Sequence, residues 1–170
     1  MGIVIVIALP FIVAIFIPRQ YTVSVTETIN RPVAEVHDYM RILKNQKDWS
    51  EWVKADPTMV PEITGTDGTI GAIQRWNSKD DNVGEGEQEI TTLSLERIDF
   101  DLRFKRPFEG HAKAASIFKA SSPTETMVTA EFYADESYPM NLPSYLFGKP
   151  MIEETQKKNL ANLKAILEGK

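Results

Sequence analysis

Few residues in this chain have the chemistry for catalysis, and their spacing places most of them in water. The 170-residue chain has no cysteine, which excludes disulfides, thiolate metal sites and cysteine nucleophiles. Its two histidines, His37 and His111, are too far apart in sequence to read as a histidine-rich zinc site. His111 alternates onto a wet face, and His37 reads as a surface or partly packed residue of a short helix. Glu85, Glu87 and Glu89 could serve as a carboxylate cluster. Their every-second-residue spacing instead puts all three on the solvent face of a strand, opposite Gln88 and Ile90. Asp80, Asp81 and Asn82 lack the spacing of a calcium loop and read as a hairpin turn. No serine sits in a nucleophile elbow, and neither phosphate-binding glycine pattern occurs. No catalytic residue, metal site or cofactor is assigned.

The polar residues that alternation or helical spacing turns inward are Gln74, Trp76, Gln88, Ser116, Tyr145 and Gln156. They hydrogen-bond one another or buried water, or they orient the polar end of a ligand. Neutral amides and hydroxyls hold a ligand but are poor general bases near neutral pH, which favours binding over catalysis.

These residues need a sheet and a helix to position them. Tyr21–Ile29 alternates as a first strand, and Pro32 opens a short helix carrying Val33, Val36, Tyr39 and Met40. A second short helix carries Leu43, Trp49 and Trp52, with the tryptophans packing it on the sheet or standing at a cavity mouth. Six further strands are predicted over 59–64, 69–77, 83–93, 98–105, 110–120 and 126–133. In the second of these six, Ile70, Ala72, Gln74 and Trp76 share a face. Ile98, Phe100, Leu102 and Phe104 point in, as do Ala112, Ala114, Ser116 and Phe118 on the next strand, then Val128, Ala130 and Phe132. A turn near Leu95 and Glu96 sets Glu89 opposite Arg103 and Glu87 opposite Lys105, and one on Asp80 sets Arg75 opposite Glu85. A register with Glu89 opposite Asp101 would overturn this.

The last stretch, Leu142–Lys170, reads over its last two thirds as one long helix with a stripe of Met151, Ile152, Thr155, Gln156, Leu160, Leu163, Ile166 and Leu167. Thr155 and Gln156 in mid-stripe suit a helix lining a cavity. Many inward sheet positions are small or polar (Ala72, Gln74, Gly86, Gln88, Ala112, Ala114, Ser116, Ala130), which leaves a gap under that helix. The apolar connection Tyr138–Phe147 either caps the open end of the sheet or forms a gate or membrane-touching lip.

Ile3–Ile17 is continuously apolar over 15 residues. As a helix it rises about 22 Å, short of the roughly 30 Å hydrocarbon core. It lacks the basic start and small-residue cleavage site of a signal peptide. A short or truncated membrane anchor over residues 1–18 is the leading expectation, beside an atypical signal peptide and a buried element. The net charge of −5 argues against nucleic-acid binding.

From YTVSVTETINRPVAEVHDYM through Trp49-Ser50-Glu51-Trp52, Gly71–Trp76, Val83–Gly86, Lys105–Phe108 and Asn159–Lys164, the chain resembles the SRPBCC superfamily, also called START-like or Bet v 1-like. Within it the chain is similar to bacterial polyketide cyclase/dehydrase and lipid-transport proteins. The resemblance covers about residues 20–168. It implies an α+β helix-grip fold: a seven-stranded antiparallel sheet curled around a long C-terminal helix, with two short helices after the first strand. It also implies a cavity for lipid-like or polyketide-like molecules. The family's catalytic motifs match no residues here. Residues 19–170 are thus expected to bind or carry a small apolar ligand. The cavity candidates are Gln74, Trp76, Gln88, Ile90, Phe100, Leu102, Phe104, Ser116, Phe118, Phe132, Tyr145, Ile152 and Gln156. Alternative readings are a cyclase/dehydrase-type enzyme using the same cavity and an interaction module of the Hsp90-activator-like kind.

Overall fold

The computed structural model describes the backbone of residues 2–169 and the side chains of residues 9–169, so part of the expected 1–18 anchor lies outside the described side chains. Helix α1 (Gly2–Phe16) precedes strand β1 (Gln20–Ile29). Helix α2 (Val33–Met40) follows, entered through Pro32, whose fixed φ suits a helix start. The expected second short helix is a 3-10 turn at Leu43–Asn45 and two four-residue helices, α3 (Gln46–Trp49) and α4 (Glu51–Lys54), broken at an extended Ser50. Six strands follow: β2 (Glu62–Thr64), β3 (Ile73–Asn77), β4 (Glu85–Ser94), β5 (Arg97–Arg106), β6 (Gly110–Ser122) and β7 (Glu125–Asp135). The chain ends in α5 (Asn141–Pro143), a wider π-type turn at Ser144–Gly148 and α6 (Lys149–Glu168).

The seven strands form one antiparallel sheet in the order β1-β7-β6-β5-β4-β3-β2. Strands β1 and β2 are thus the two edges, and α2–α4 carry the chain between them. This is the expected α+β architecture. Two asparagines of α6 hold the break between α3 and α4. Asn159 Oδ1 accepts from Glu51 N at 2.8 Å, and Asn162 Nδ2 donates to Trp49 O at 3.1 Å. Lys164 ties the far end of α6 to β1 by donating to Glu27 Oε1 at 2.8 Å and Thr28 O at 2.6 Å.

The expected register is wrong by two residues. Glu89 faces Asp101, Glu87 faces Arg103 and Arg75 faces Glu87. The β4–β5 turn is a two-residue link at Leu95-Glu96, and Thr91 bulges out of the ladder just before it. A two-residue shift keeps every side chain on its face, so the acids still meet bases, now diagonally. Arg103 donates to Glu87 at 2.7 Å, Glu89 at 2.8 Å and Asp101 at 2.6 Å. The Arg103 guanidinium holds the Glu87 carboxyl below the usual carboxylate range. His111 is on this exposed face, 2.6 Å from Asp101.

Two predicted strands are shorter than expected. Gly65, Gly68 and Gly71 all have positive φ, so 65–72 is a looped connection and Ile70 is exposed instead of inward. Met151 and Ile166, placed on the inner stripe of α6, are also exposed. His37, by contrast, is buried with its ring edge-on to Phe118 at 5.5 Å.

Candidate functional site: a cavity between the sheet and the final helix

Packing density changes along the sheet. At one end Ile29, Val36, Leu43, Ile90, Ile98, Phe118, Val128 and Leu163 form a sealed core under α2 and α6. At the other end alanine, serine and glutamine stand among the large inward residues, and a cavity of about 470 Å³ opens between β3–β7, α3–α4 and α6. Small-molecule sites fall in roughly this size range.

Ten of the thirteen predicted residues line it: Gln74, Trp76, Gln88, Phe100, Leu102, Phe104, Ser116, Phe132, Ile152 and Gln156. Three do not. Ile90 is fully sealed in the packed core, and the His37 ring packs edge-on against Phe118. Tyr145 is turned by the π-type turn onto Tyr21, their rings edge-on at 5.8 Å, with Lys149 Nζ 4.9 Å from its ring centre. Alternation assigns a face but says nothing about position along the sheet, and these positions belong to the packed end or the outer wall. Trp49, Trp52, Gln46, Met40 and Asn159 also line the cavity. The i, i+3 steps Leu43, Gln46, Trp49 carry a polar residue in mid-stripe, the same signal that marked Gln156, and could have identified Gln46.

One wall depends on a glycine. Trp76 and Phe104 both pair with Gly86 across adjacent strands, and their rings meet edge-on at 6.1 Å over it. A Cβ at Gly86 would stand 2.6 Å from the Trp76 ring and 2.7 Å from the Arg103 carbonyl. The glycine lets the indole lie flat against the sheet, which keeps the space above it open.

The polar groups of the wall are mostly amides in a chain. Gln74 Nε2 donates to Leu43 O at 3.2 Å. Gln88 Nε2 donates to Gln74 Oε1, and also to Gln46 Oε1 at 2.6 Å. The charged lining residues are Arg106, Glu131 and Glu136. Arg106 is engaged by Ser78 O at 2.7 Å, Asn77 Oδ1 at 2.8 Å and Asp81 at 3.1 Å. Glu136 accepts from Ser144 Oγ at 3.3 Å, and Glu131 accepts from Tyr133 on the outer register. Burial raises the Tyr21 hydroxyl above its ordinary range despite its 2.8 Å bond to Ser144 Oγ.

The rim is apolar. Phe108 and Met151 are exposed beside the opening, and Leu146 and Phe147 are exposed on the adjoining turn, Phe147 at 73%. Helix α1 joins the domain at this region. Asn141, 1% exposed, donates through Nδ2 to Ala14 O and Ile17 O, both at 2.8 Å. Tyr138 Oη donates to Phe11 O at 3.2 Å. Sequence reasoning missed Asn141, because its partners lie more than a hundred positions away.

A seven-stranded antiparallel sheet gripping a C-terminal helix over such a cavity is the helix-grip, Bet v 1-like fold of the SRPBCC proteins. Solved structures agree. The di-domain ARO/CYC BexL from the BE-7585A biosynthetic pathway matches with a TM-score of 0.64 at 12% identity, over 90% of this chain and 52% of that one. Ara h 8.0201 matches with 0.64 at 11% identity, over 89% and 99%. DynU16, from the dynemicin biosynthetic locus, matches with 0.60 at 14% identity, over 86% and 47%. The chain therefore spans about half the length of BexL and DynU16. No protein-family model matches the sequence, and no curated protein matches it in sequence.

Proposed function

We propose that this protein binds or carries a small apolar molecule, lipid-like or polyketide-like, in the cavity between the sheet and α6. The observation that carries the reading is the roughly 470 Å³ cavity, walled by Trp76, Phe100, Leu102, Phe104, Phe132 and Ile152. Small side chains at Gly86, Ala114 and Ala130 leave that space, whereas a domain with no occupant would fill it. The low-identity likeness to an ARO/CYC protein and to a protein of a biosynthetic locus fits an apolar, ring-containing or chain-like ligand.

We further propose that residues 1–18 tether the domain to a membrane. Helix α1 exposes Leu9, Phe11, Ile12, Ile15 and Phe16, the last at 81%, and a helix apolar all round is suited to lipid. Among the described residues no helix is long and apolar enough to cross a membrane by itself. The tether lies beside the apolar rim, which would bring the cavity mouth to the source of an apolar ligand.

Native mass spectrometry of the full chain purified from its own host tests the binding reading. The expected result is a stoichiometric small apolar adduct, lost in Ala114→Phe, which projects a ring into the cavity. An adduct retained undiminished by that variant would place the ligand elsewhere.

A further inference from the structure

Three glutamines on the cavity wall leave one amide nitrogen and one amide oxygen without a partner among the described residues. Their orientations follow from a backbone group that cannot turn. The Leu43 carbonyl is an acceptor only, so Gln74 must present Nε2 to it, at 3.2 Å. Gln74 then offers Oε1 to Gln88, and Gln88 must answer with Nε2. The same Gln88 nitrogen donates to Gln46, which must present Oε1, at 2.6 Å. The remaining atoms are Gln46 Nε2, a donor, and Gln88 Oε1, an acceptor. Neither has a hydrogen-bond partner among the described residues, and neither is among the sealed, unpartnered polar atoms. Both residues line the cavity.

We infer that Gln46 and Gln88 form a polar subsite selecting a neutral hydroxyl group on an otherwise apolar ligand. This rests on the apolar-ligand reading above and narrows it. A hydroxyl donates one hydrogen bond and accepts others, so it satisfies Gln88 Oε1 and Gln46 Nε2 together. A ketone or ester offers no donor and leaves Gln88 Oε1 unpaired. A carboxylate fares worse, because it sets a second acceptor against Gln88 Oε1. It also finds no free cation among the described residues, since Arg106, the one cationic lining residue among them, is held by Ser78, Asn77 and Asp81. An alkane leaves both amide atoms desolvated and unpaired.

Bromine quenching of tryptophan reads occupancy of this cavity, because all three tryptophans of the chain, Trp49, Trp52 and Trp76, line it. The full chain is titrated with 12-bromo-1-dodecanol, 1-bromododecane and 12-bromododecanoate. Without a polar subsite the alkane binds more tightly than the alcohol, whose hydroxyl loses its water. The expected result is that the alcohol binds at least as tightly as the alkane and about tenfold more tightly than the carboxylate. Gln46→Met removes the donor, together with the Oε1 that accepts from Gln88, and leaves the Gln88–Gln74–Leu43 bonds in place. It should weaken the alcohol about tenfold, the loss of roughly 1.4 kcal/mol, and bind the alkane no more weakly than the wild type, since one desolvated amide is gone. Retained quenching by the alkane shows that the variant's cavity is intact. If that variant does not fold, the wild-type ranking decides alone. Alcohol weaker than alkane in the wild type, or equal loss of both in the variant, overturns the subsite and leaves the apolar cavity standing. A preference for the carboxylate overturns its neutrality. No quenching by any of the three overturns the binding reading itself.

Discussion

Gly86 shows how much one side chain, or its absence, decides here. The Trp76 indole occupies the place a Cβ would need, and the Arg103 carbonyl closes the other side. Backbone cannot retreat as a flexible side chain can, so Gly86→Ala must lift the indole toward the cavity. Overpacking of this kind costs about 1–3 kcal/mol. Urea denaturation should show that loss, and unchanged stability would mean that the sheet yields instead. This role is hidden in the sequence, where Gly86 reads only as a small inward residue. Its partner is set by register, through pairing with Trp76 on one side and Phe104 on the other. Gln74, Gln88 and Gln156 were legible as inward polar groups because periods of two and of 3.6 residues assign faces. That Gln74 and Gln88 stand opposite each other was not.

At the scale of elements, α6 is the organiser. Its Asn159 and Asn162 grip α3 and α4, its Lys164 grips β1, and its Ile152 and Gln156 roof the cavity. The segment Asn141–Gly148, expected as an irregular connection, continues as helix into α6. Helical geometry brings Asn141 under the end of α1, where it supplies donors to the Ala14 and Ile17 carbonyls, the first of which has only a long 3.4 Å backbone bond from Ile17 N besides. Asn141→Asp replaces that donor with an acceptor facing two acceptors. The expected outcome is a loosened α1, read as faster tryptic cleavage after Arg19 than in the wild type. An unchanged rate would show that packing of Ala14, not Asn141, holds the helix. Removing a buried donor from two acceptors should also lower stability by about 1–3 kcal/mol.

Across the whole molecule, apolar surface concentrates at one end. Phe108 and Met151 line the cavity and are exposed, Leu146 and Phe147 are exposed on the turn between its lining residues Ser144 and Gly148, and α1 is attached to the neighbouring Asn141. Exposed apolar residues grouped in this way suit an interaction site, and the proposed membrane tether would use them. The tether proposal makes a direct prediction. The full chain should float with phosphatidylcholine vesicles in a density gradient, and Ile12→Asp with Ile15→Asp should leave it at the bottom. Flotation of the charged variant at the wild-type level would refute a tether through α1. At the opposite end Ile29, Leu43, Ile90 and Leu163 are sealed, and the exposed apolar residues there, Ile70, Leu95 and Ile166, stand singly in a loop, a turn and the last turn of α6.

The sequence alone determined the order of elements, the inward face of most strands and the presence of a long helix over a sheet poor in large inward residues. Each is a local property, written in a repeat of two or nearly four residues. The tertiary structure decided the rest: where along the sheet packing ends and cavity begins, which glutamines meet, and which carbonyls Asn141 reaches. Register is the clearest case. A slip of two residues leaves every side chain on its own face, so no hydrophobic pattern can detect it. Only the bulge at Thr91 and the tight turn at Leu95-Glu96 bring Glu89 opposite Asp101 and Gly86 opposite Phe104.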